Sequence, residues 1–144
     1  MKTEIVPASL KQVYSLKVLL KTFFSYSNQP EKIKENMKKG HSYYLLNLNG
    51  KTIGFIHFNE LKSFYRLNGV AIDFPFRGQG FGDKLTKFLL DKAKKSHKSV
   101  TLLVDSGNES ALKLYYKLGF KKVRVSKRTL NGSPLLLLRW TPKN

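Results

Sequence analysis

The chain contains no cysteine, only nine acidic residues among 144, and no apolar run near the roughly 18 residues that cross a bilayer. Each scarcity excludes something. Without cysteine there is no disulfide framework, no thiolate zinc site and no cysteine nucleophile. His41, His57 and His97 are scattered, without the His-x-x-x-His spacing of a helix-borne metal site, so no metal is expected. No Ser/His/Asp arrangement can be argued from spacing. The opening Met1-Lys2-Thr3-Glu4-Ile5-Val6-Pro7 lacks the apolar centre of a signal peptide, and no membrane partner is expected. The expectation is a cytoplasmic protein of one domain, residues 1–144, as a monomer or homodimer.

The shortage of acids leaves a net charge of +18, a field that attracts phosphates, nucleic acid or another polyanion. Lysine outnumbers arginine 22 to 5, whereas base recognition and bidentate phosphate clamping favour arginine. The lysines also run along the whole chain and form no block. Both features read as composition ahead of a nucleic-acid surface. A nucleic-acid- or ribosome-binding module stays open as the alternative function.

What is present is an alternation of strand and helix signals. Lys2 to Val6 reads as a strand, and Ser9 to Gln12 has capping-box spacing ahead of a helix with Val13, Leu16, Leu20 and Phe24 on one face. A shorter helix starts at Pro30 and ends at Gly40. Strands at Tyr43 to Leu48 and Thr52 to Phe58 flank Asn49-Gly50, the strongest short hairpin signal, and Leu67 to Ile72 follows as a further strand. Next comes a helix with Phe81, Leu85, Phe88, Leu89 and Ala93 on one face, supported by the pairs Asp83–Lys87 and Asp91–Lys95. Val100 to Val104 is continuously apolar, as a buried strand should be. Asn108 caps a helix with the stripe Ala111, Leu114, Tyr115 and Leu118, which Gly119 closes. A hairpin, Val123 to Leu130 and Leu135 to Trp140, turns at Asn131-Gly132. The order argues α/β with a mixed sheet.

Arg77-Gly78-Gln79-Gly80-Phe81-Gly82 stands between a strand and a helix N-terminus. Glycines there free several amide N–H groups to point one way, and the helix dipole adds roughly half a positive charge, so a pyrophosphate is the natural guest. The dinucleotide fingerprint fails because position 83 is Asp. The Walker loop fails as well: Gly50-Lys51-Thr52 lacks its upstream glycine, since position 45 is Leu, and the triplet suits a hairpin turn.

What survives is Arg-x-x-Gly-x-Gly, met by Arg77, Gly80 and Gly82, after the run Val70-Ala71-Ile72-Asp73-Phe74-Pro75-Phe76. About 26 residues beyond Gly82, Asn108 is followed by Ala111, Tyr115 and Gly119-Phe120. These two motifs together closely resemble the coenzyme A loop and second signature of the GNAT superfamily of acyl-CoA-dependent N-acetyltransferases. The resemblance covers the chain from about residue 43 to the end. It implies the GNAT fold, α/β, with a mixed, strongly twisted central sheet splayed in the middle and helices on both faces. It also implies transfer of the acetyl group of acetyl-CoA, as co-substrate, to an amine acceptor: a small molecule, a peptide N-terminus or a lysine. The basic surface disfavours a polycationic acceptor through like-charge repulsion.

The same resemblance implies roles. Backbone groups of Val70, Ala71 and Ile72 would bind the pantetheine arm and polarise the acetyl carbonyl, with Gly69 hinting at a bulge or splay. Gly78, Gln79, Gly80, Phe81, Gly82 and Asp83 would hold the pyrophosphate, while Arg77 either neutralises phosphate or anchors the turn. Asn108 would touch the cofactor arm as well as cap its helix. Tyr115 is the catalytic candidate, because a phenol beside the sulfur can give a proton to the leaving thiolate. The base has no clear signature: the glutamate that some protein N-terminal acetyltransferases carry five residues before the motif asparagine is Leu103 here. Glu60, His57, Asp73 and a water relay all stay open. The acceptor site is expected opposite the cofactor arm, between the first two helices (Phe24, Tyr26), the segment Glu60 to Tyr65 and the last hairpin.

Overall fold

Period-two alternation gives each strand one face for a core, and the strands assemble into one sheet. The structure is a computed structural model that describes residues 2–12, 30–130 and 132–143. Its strands are β1 (Thr3–Pro7), β2 (His41–Leu48), β3 (Lys51–Glu60), β4 (Phe64–Ile72), β5 (Ser99–Asp105), β6 (Lys121–Leu130) and β7 (Ser133–Trp140). They form a seven-stranded open sheet in the order β1-β2-β3-β4-β5-β7-β6. Every neighbouring pair is antiparallel except β4 and β5. That parallel pair needs a crossover, and helix α2 (Phe81–Lys95) supplies it. The expected mixed sheet with helices on both faces is what is found.

On one face, α2 buries Phe81, Leu85, Leu89, Leu90 and Ala93 against Ile56, Phe58, Tyr65, Leu67, Val100 and Leu102. Each fully buried large side chain in this layer contributes about 1.5–3 kcal/mol. Helix α3 (Glu109–Lys117) lies on the same side, through Ala111, Leu112 and Tyr115. On the other face, α1 (Pro30–Lys38) sets Ile33 and Met37 against Tyr43, Leu45, Phe55 and Ala71.

Local signals were obeyed where they were strong. Asn49 and Gly50 adopt φ 50° and 84°, positive at both central positions as a type I′ hairpin requires; the Gly-Lys-Thr triplet is therefore this turn. The Ser9 N–H donates to Gln12 Oε1 at 2.8 Å, the return bond of a capping box. Beyond that single turn, Leu10–Gln12, the expected helix with Val13, Leu16, Leu20 and Phe24 lies outside the described residues. So does Asn131 of the final turn. Two expectations are corrected. Asp83 pairs with Lys87 at 3.3 Å, but no Asp91–Lys95 bridge forms between those two exposed residues. Leu103, read as buried, is 41% exposed, because alternation turns it away from the α2 layer.

The feature that positions the site is the short β4–β5 ladder. It runs from Phe64↔Ser99 only to Leu67↔Leu102, after which the strands part while β4 continues along β3 to Ile72. Two devices hold β4 on the β3 side. Opposite His57 and Phe58 the register jumps from Gly69 to Leu67, leaving Asn68 as a bulge residue; this is the irregularity that Gly69 suggested. Farther along, β3 and β4 approach so closely that a Cβ on Gly54 would lie 2.7 Å from the Ala71 carbonyl oxygen and 2.7 Å from Ile72 Cδ1. Gly54→Ala therefore has to push the strands apart. We expect it to lower the unfolding free energy by about 1–3 kcal/mol, the usual cost of overpacking, in urea denaturation.

Candidate active site

Past the last β4–β5 rung, Val70, Ala71 and Ile72 pair with Ile56, Phe55 and Gly54 on one side only, so their other backbone edge faces the gap toward β5. The chain then makes a turn, Phe74–Phe76, capped by the Asp73 carboxylate on the Phe74 N–H. Arg77 closes this turn: its Nε donates to the Ile72 carbonyl at 3.1 Å and its guanidinium stacks over the Phe74 ring at 5.4 Å. Both contacts anchor the turn.

Gly78 and Gly80 then take φ 76° and 85°, a left-handed conformation in which a side chain would be strained. Gly80 is the N-cap of α2 and brings no side-chain cap. The amides of Gly78, Gln79, Gly80, Phe81, Gly82 and Asp83 consequently donate to no carbonyl among the described residues. Six successive unengaged N–H groups at a helix N-terminus make an anion cradle. The Asp83 carboxylate is taken up by Lys87 at 3.3 Å and Lys117 at 3.5 Å, so its contribution to the cradle is its amide.

The Lys117 contact docks α3 beside this loop, as does Leu114, which would lie 3.8 Å from a Cβ on Gly82. Asn108 caps α3 by accepting from the Ala111 N–H at 3.2 Å, and Gly119 ends it at φ 102°. Tyr115 is half-buried in α3, edge-on to Phe120 at 5.4 Å, and its hydroxyl makes no hydrogen bond to another described residue. Burial pushes the phenol up to about 12, so it is protonated throughout the neutral range. Tyr116, its neighbour, is 46% exposed.

On the opposite face of the sheet a groove of about 900 Å³ runs across β4, β5, β7 and β6. Asn68 and Leu103, the first residues past the last β4–β5 rung, line it, so the groove meets the gap. Ser63, Phe64 and the last hairpin border it; Phe24 and Tyr26, named for the acceptor side, lie outside the described residues. Sequence reasoning missed its most conspicuous lining: Arg66, Arg124 and Arg139. The available signal was that four of only five arginines, Arg66, Arg124, Arg128 and Arg139, stand on strands.

None of the candidate bases lines this groove. Glu60 is exposed and bonded to Lys98 at 2.7 Å, which holds its carboxyl below the usual range. It sits opposite Tyr65, five residues before Val70, or about 16 Å away along the strand. Asp73 is the turn cap. His57 is buried beneath Tyr43, with ring centroids 4.1 Å apart, and its Nε2 meets His41 Nδ1 at 2.7 Å. Burial first, and the nearby His41 second, depress His57 to about 3. A group so depressed is a weak proton acceptor.

This pair has a consequence for stability. The unfolded chain takes up a proton near the ordinary histidine value of about 6.5 while folded His57 does not, so stability falls as pH drops through that value toward 3. His41, also lowered by burial, acts in the same direction. The slope from His57 is about 1.36 kcal/mol per pH unit, giving roughly 2 kcal/mol between pH 6.5 and 5. Urea unfolding of His57→Phe, which keeps a ring on Tyr43, should lose most of that slope.

Comparison with known proteins fits this geometry. Residues 7–141 match the family model described as an acetyltransferase (GNAT) domain. A UPF0039 protein of Schizosaccharomyces pombe is 31% identical over 117 residues, which are 78% of this chain and 77% of the relative. The N-alpha-acetyltransferase RimI of Mycobacterium tuberculosis is 28% identical over 104 residues, 69% of this chain and 65% of its own length. Among solved structures, the ribosomal-protein-S18-alanine N-acetyltransferase from Escherichia coli superposes with a TM-score of 0.87 at 19% identity, covering 97% of this chain and 94% of that one. Arabidopsis thaliana Naa50, in complex with the bisubstrate analogue CoA-Ac-MVNAL, gives 0.84 at 20% identity, covering 98% and 99%. At such identities the two structures speak for the fold.

Proposed function

This chain belongs to the GNAT acetyltransferase family, and from that premise we propose that it transfers the acetyl group of acetyl-CoA to an amine by direct attack on the thioester. The observation that carries this reading is the junction at the end of β4, where an unpaired strand edge beside a gap runs directly into a cradle of six free amides. The cradle suits a pyrophosphate, and the Val70–Ile72 edge suits an extended arm that carries amides of its own. When bound, the thioester supplies an activated acetyl carbonyl.

The residues divide the remaining work. Gly78 to Asp83 bind through their amides, and Arg77 keeps the loop folded. Val70 to Ile72 orient the arm and direct backbone donors at the carbonyl, which strengthens as charge develops there. Asn108 starts α3, the helix that brings Tyr115 to the loop. The Tyr115 hydroxyl holds its proton at any neutral pH and presents it toward the departing sulfur. Its acidity is below that of a thiol, so it acts first as a hydrogen-bond donor to the developing thiolate. The amine enters from the groove and loses its proton to water there.

Calorimetric titration with acetyl-CoA at about 150 mM salt, where the Debye length is about 8 Å, should show saturable one-to-one binding well above that of ADP or a short duplex DNA. Equal or tighter DNA binding would withdraw the enzyme reading in favour of a nucleic-acid module. Tyr115→Phe should lower kcat by about 100-fold or more and leave the acetyl-CoA Kd within about twofold. Unchanged turnover would remove Tyr115 from the mechanism.

A further inference from the structure

The bulk charge is lysine, but the groove is lined with arginine. Strand register sets Arg66 opposite Thr101 and Thr101 opposite Arg139, so the two arginines share one face two strand spacings apart, about 10 Å. Arg124 lies opposite Leu137, two residues from Arg139 and on the same face. All three are exposed, and none of their guanidiniums has an ion pair or hydrogen bond among the described residues. All nine acidic residues of the chain are described, yet none lines the groove, and the bridges that form go to lysines from Glu35, Glu60 and Asp83. The protein thus spends its few carboxylates elsewhere and leaves three planar guanidiniums beside the gap. Their forked donors match carboxylates in a way that an ammonium does not.

We infer that this groove admits the acceptor and selects an amine whose carrier bears carboxylates, namely a peptide with acidic side chains just after its amino end. The inference rests on the acetyltransferase reading above and deepens it. A peptide fits better than a single acidic amino acid for two reasons. The groove's volume lies at the upper end of small-ligand sites, more than one amino acid fills. An extended peptide advances about 3.3 Å per residue, so three residues span the distance of about 10 Å from Arg66 to Arg139. The same guanidiniums lower the pKa of an ammonium brought among them, which favours the neutral, attacking amine where no side-chain base is present. An acceptor with its own carboxylates offsets the repulsion that would otherwise keep the ammonium out.

The test is a panel of peptides identical except at positions two to four, which are Asp, Ala or Lys, with free glutamate as a further acceptor. Each is assayed for acetyl transfer, and acetyl-CoA binding is measured in every variant as the check on folding. Acidic peptides should exceed lysine peptides in kcat/KM by about tenfold or more, and the ratio should shrink between about 50 and 300 mM salt. Arg66→Glu with Arg139→Glu should invert the ratio; if that double variant no longer binds acetyl-CoA, Arg139→Gln is read instead and should reduce it. Equal turnover across the panel, or a preference unchanged in the arginine variants, overturns the inference while leaving the acetyltransferase intact. The same holds if acetyl-CoA binds and no acceptor reacts. Faster reaction of free glutamate than of any peptide overturns the peptide in favour of the small acid. Failure of the wild-type chain to bind acetyl-CoA overturns the acetyltransferase reading and this inference together.

Discussion

The β4–β5 ladder ends after its Leu67↔Leu102 rung, and the remaining architecture is organised around that parting of strands. A parallel pair is somewhat weaker per residue than an antiparallel one, and here it competes with the antiparallel pairing of β4 to β3. The Asn68 bulge and the close approach at Gly54 decide the contest for the last residues of β4. Had β4 stayed on β5, the sheet would be continuous: Val70 to Ile72 would have no free edge, and the two faces would not communicate. The crossover helix α2 then becomes more than a connection, because its N-terminus sits where β4 lets go of the sheet.

Positive potential reaches this gap from two physically different sources. On the helical side it comes from backbone: amides unengaged because a helix start leaves its first N–H groups without partners, and because left-handed glycines turn further ones the same way. On the groove side it comes from side chains, the guanidiniums of Arg66, Arg124 and Arg139. Backbone dipoles cannot be neutralised by a change of rotamer, so they suit a ligand that must always be bound in one way. Charged side chains adapt, and their attraction weakens with salt, so they suit discrimination among acceptors. Tyr115 shares the helical side with the amides, and its burial keeps the phenol protonated and neutral.

Much of this was legible in the order of residues. The Asn-Gly hairpin, the Asn108 cap, the closing Gly119 and the α2 stripe depend on contacts within a few positions, and each appears where its pattern stands. The glycine loop was legible for the same reason, since left-handed φ at Gly78 and Gly80 is a local demand. Gly69 hinted at an irregularity, though not that Asn68 would be the residue pushed out of register. Leu103 misled, because an apolar residue in an apolar run cannot announce that its neighbours across the sheet leave it facing a groove.

The arginines mark the boundary most clearly. As symbols along the chain, Arg66 stands far from the hairpin that carries Arg124 and Arg139, and all three are submerged among 22 lysines, so the charge read as composition. Only strand order, with β7 inserted between β5 and β6, gathers them on one face. Sequence by itself therefore determined the α/β grammar, the amide cradle and the family, because those rest on short-range geometry repeated in one stretch of chain. Tertiary structure alone decided where the sheet opens and which charges face the opening. Both follow from pairing between distant strands, and no local preference encodes that register.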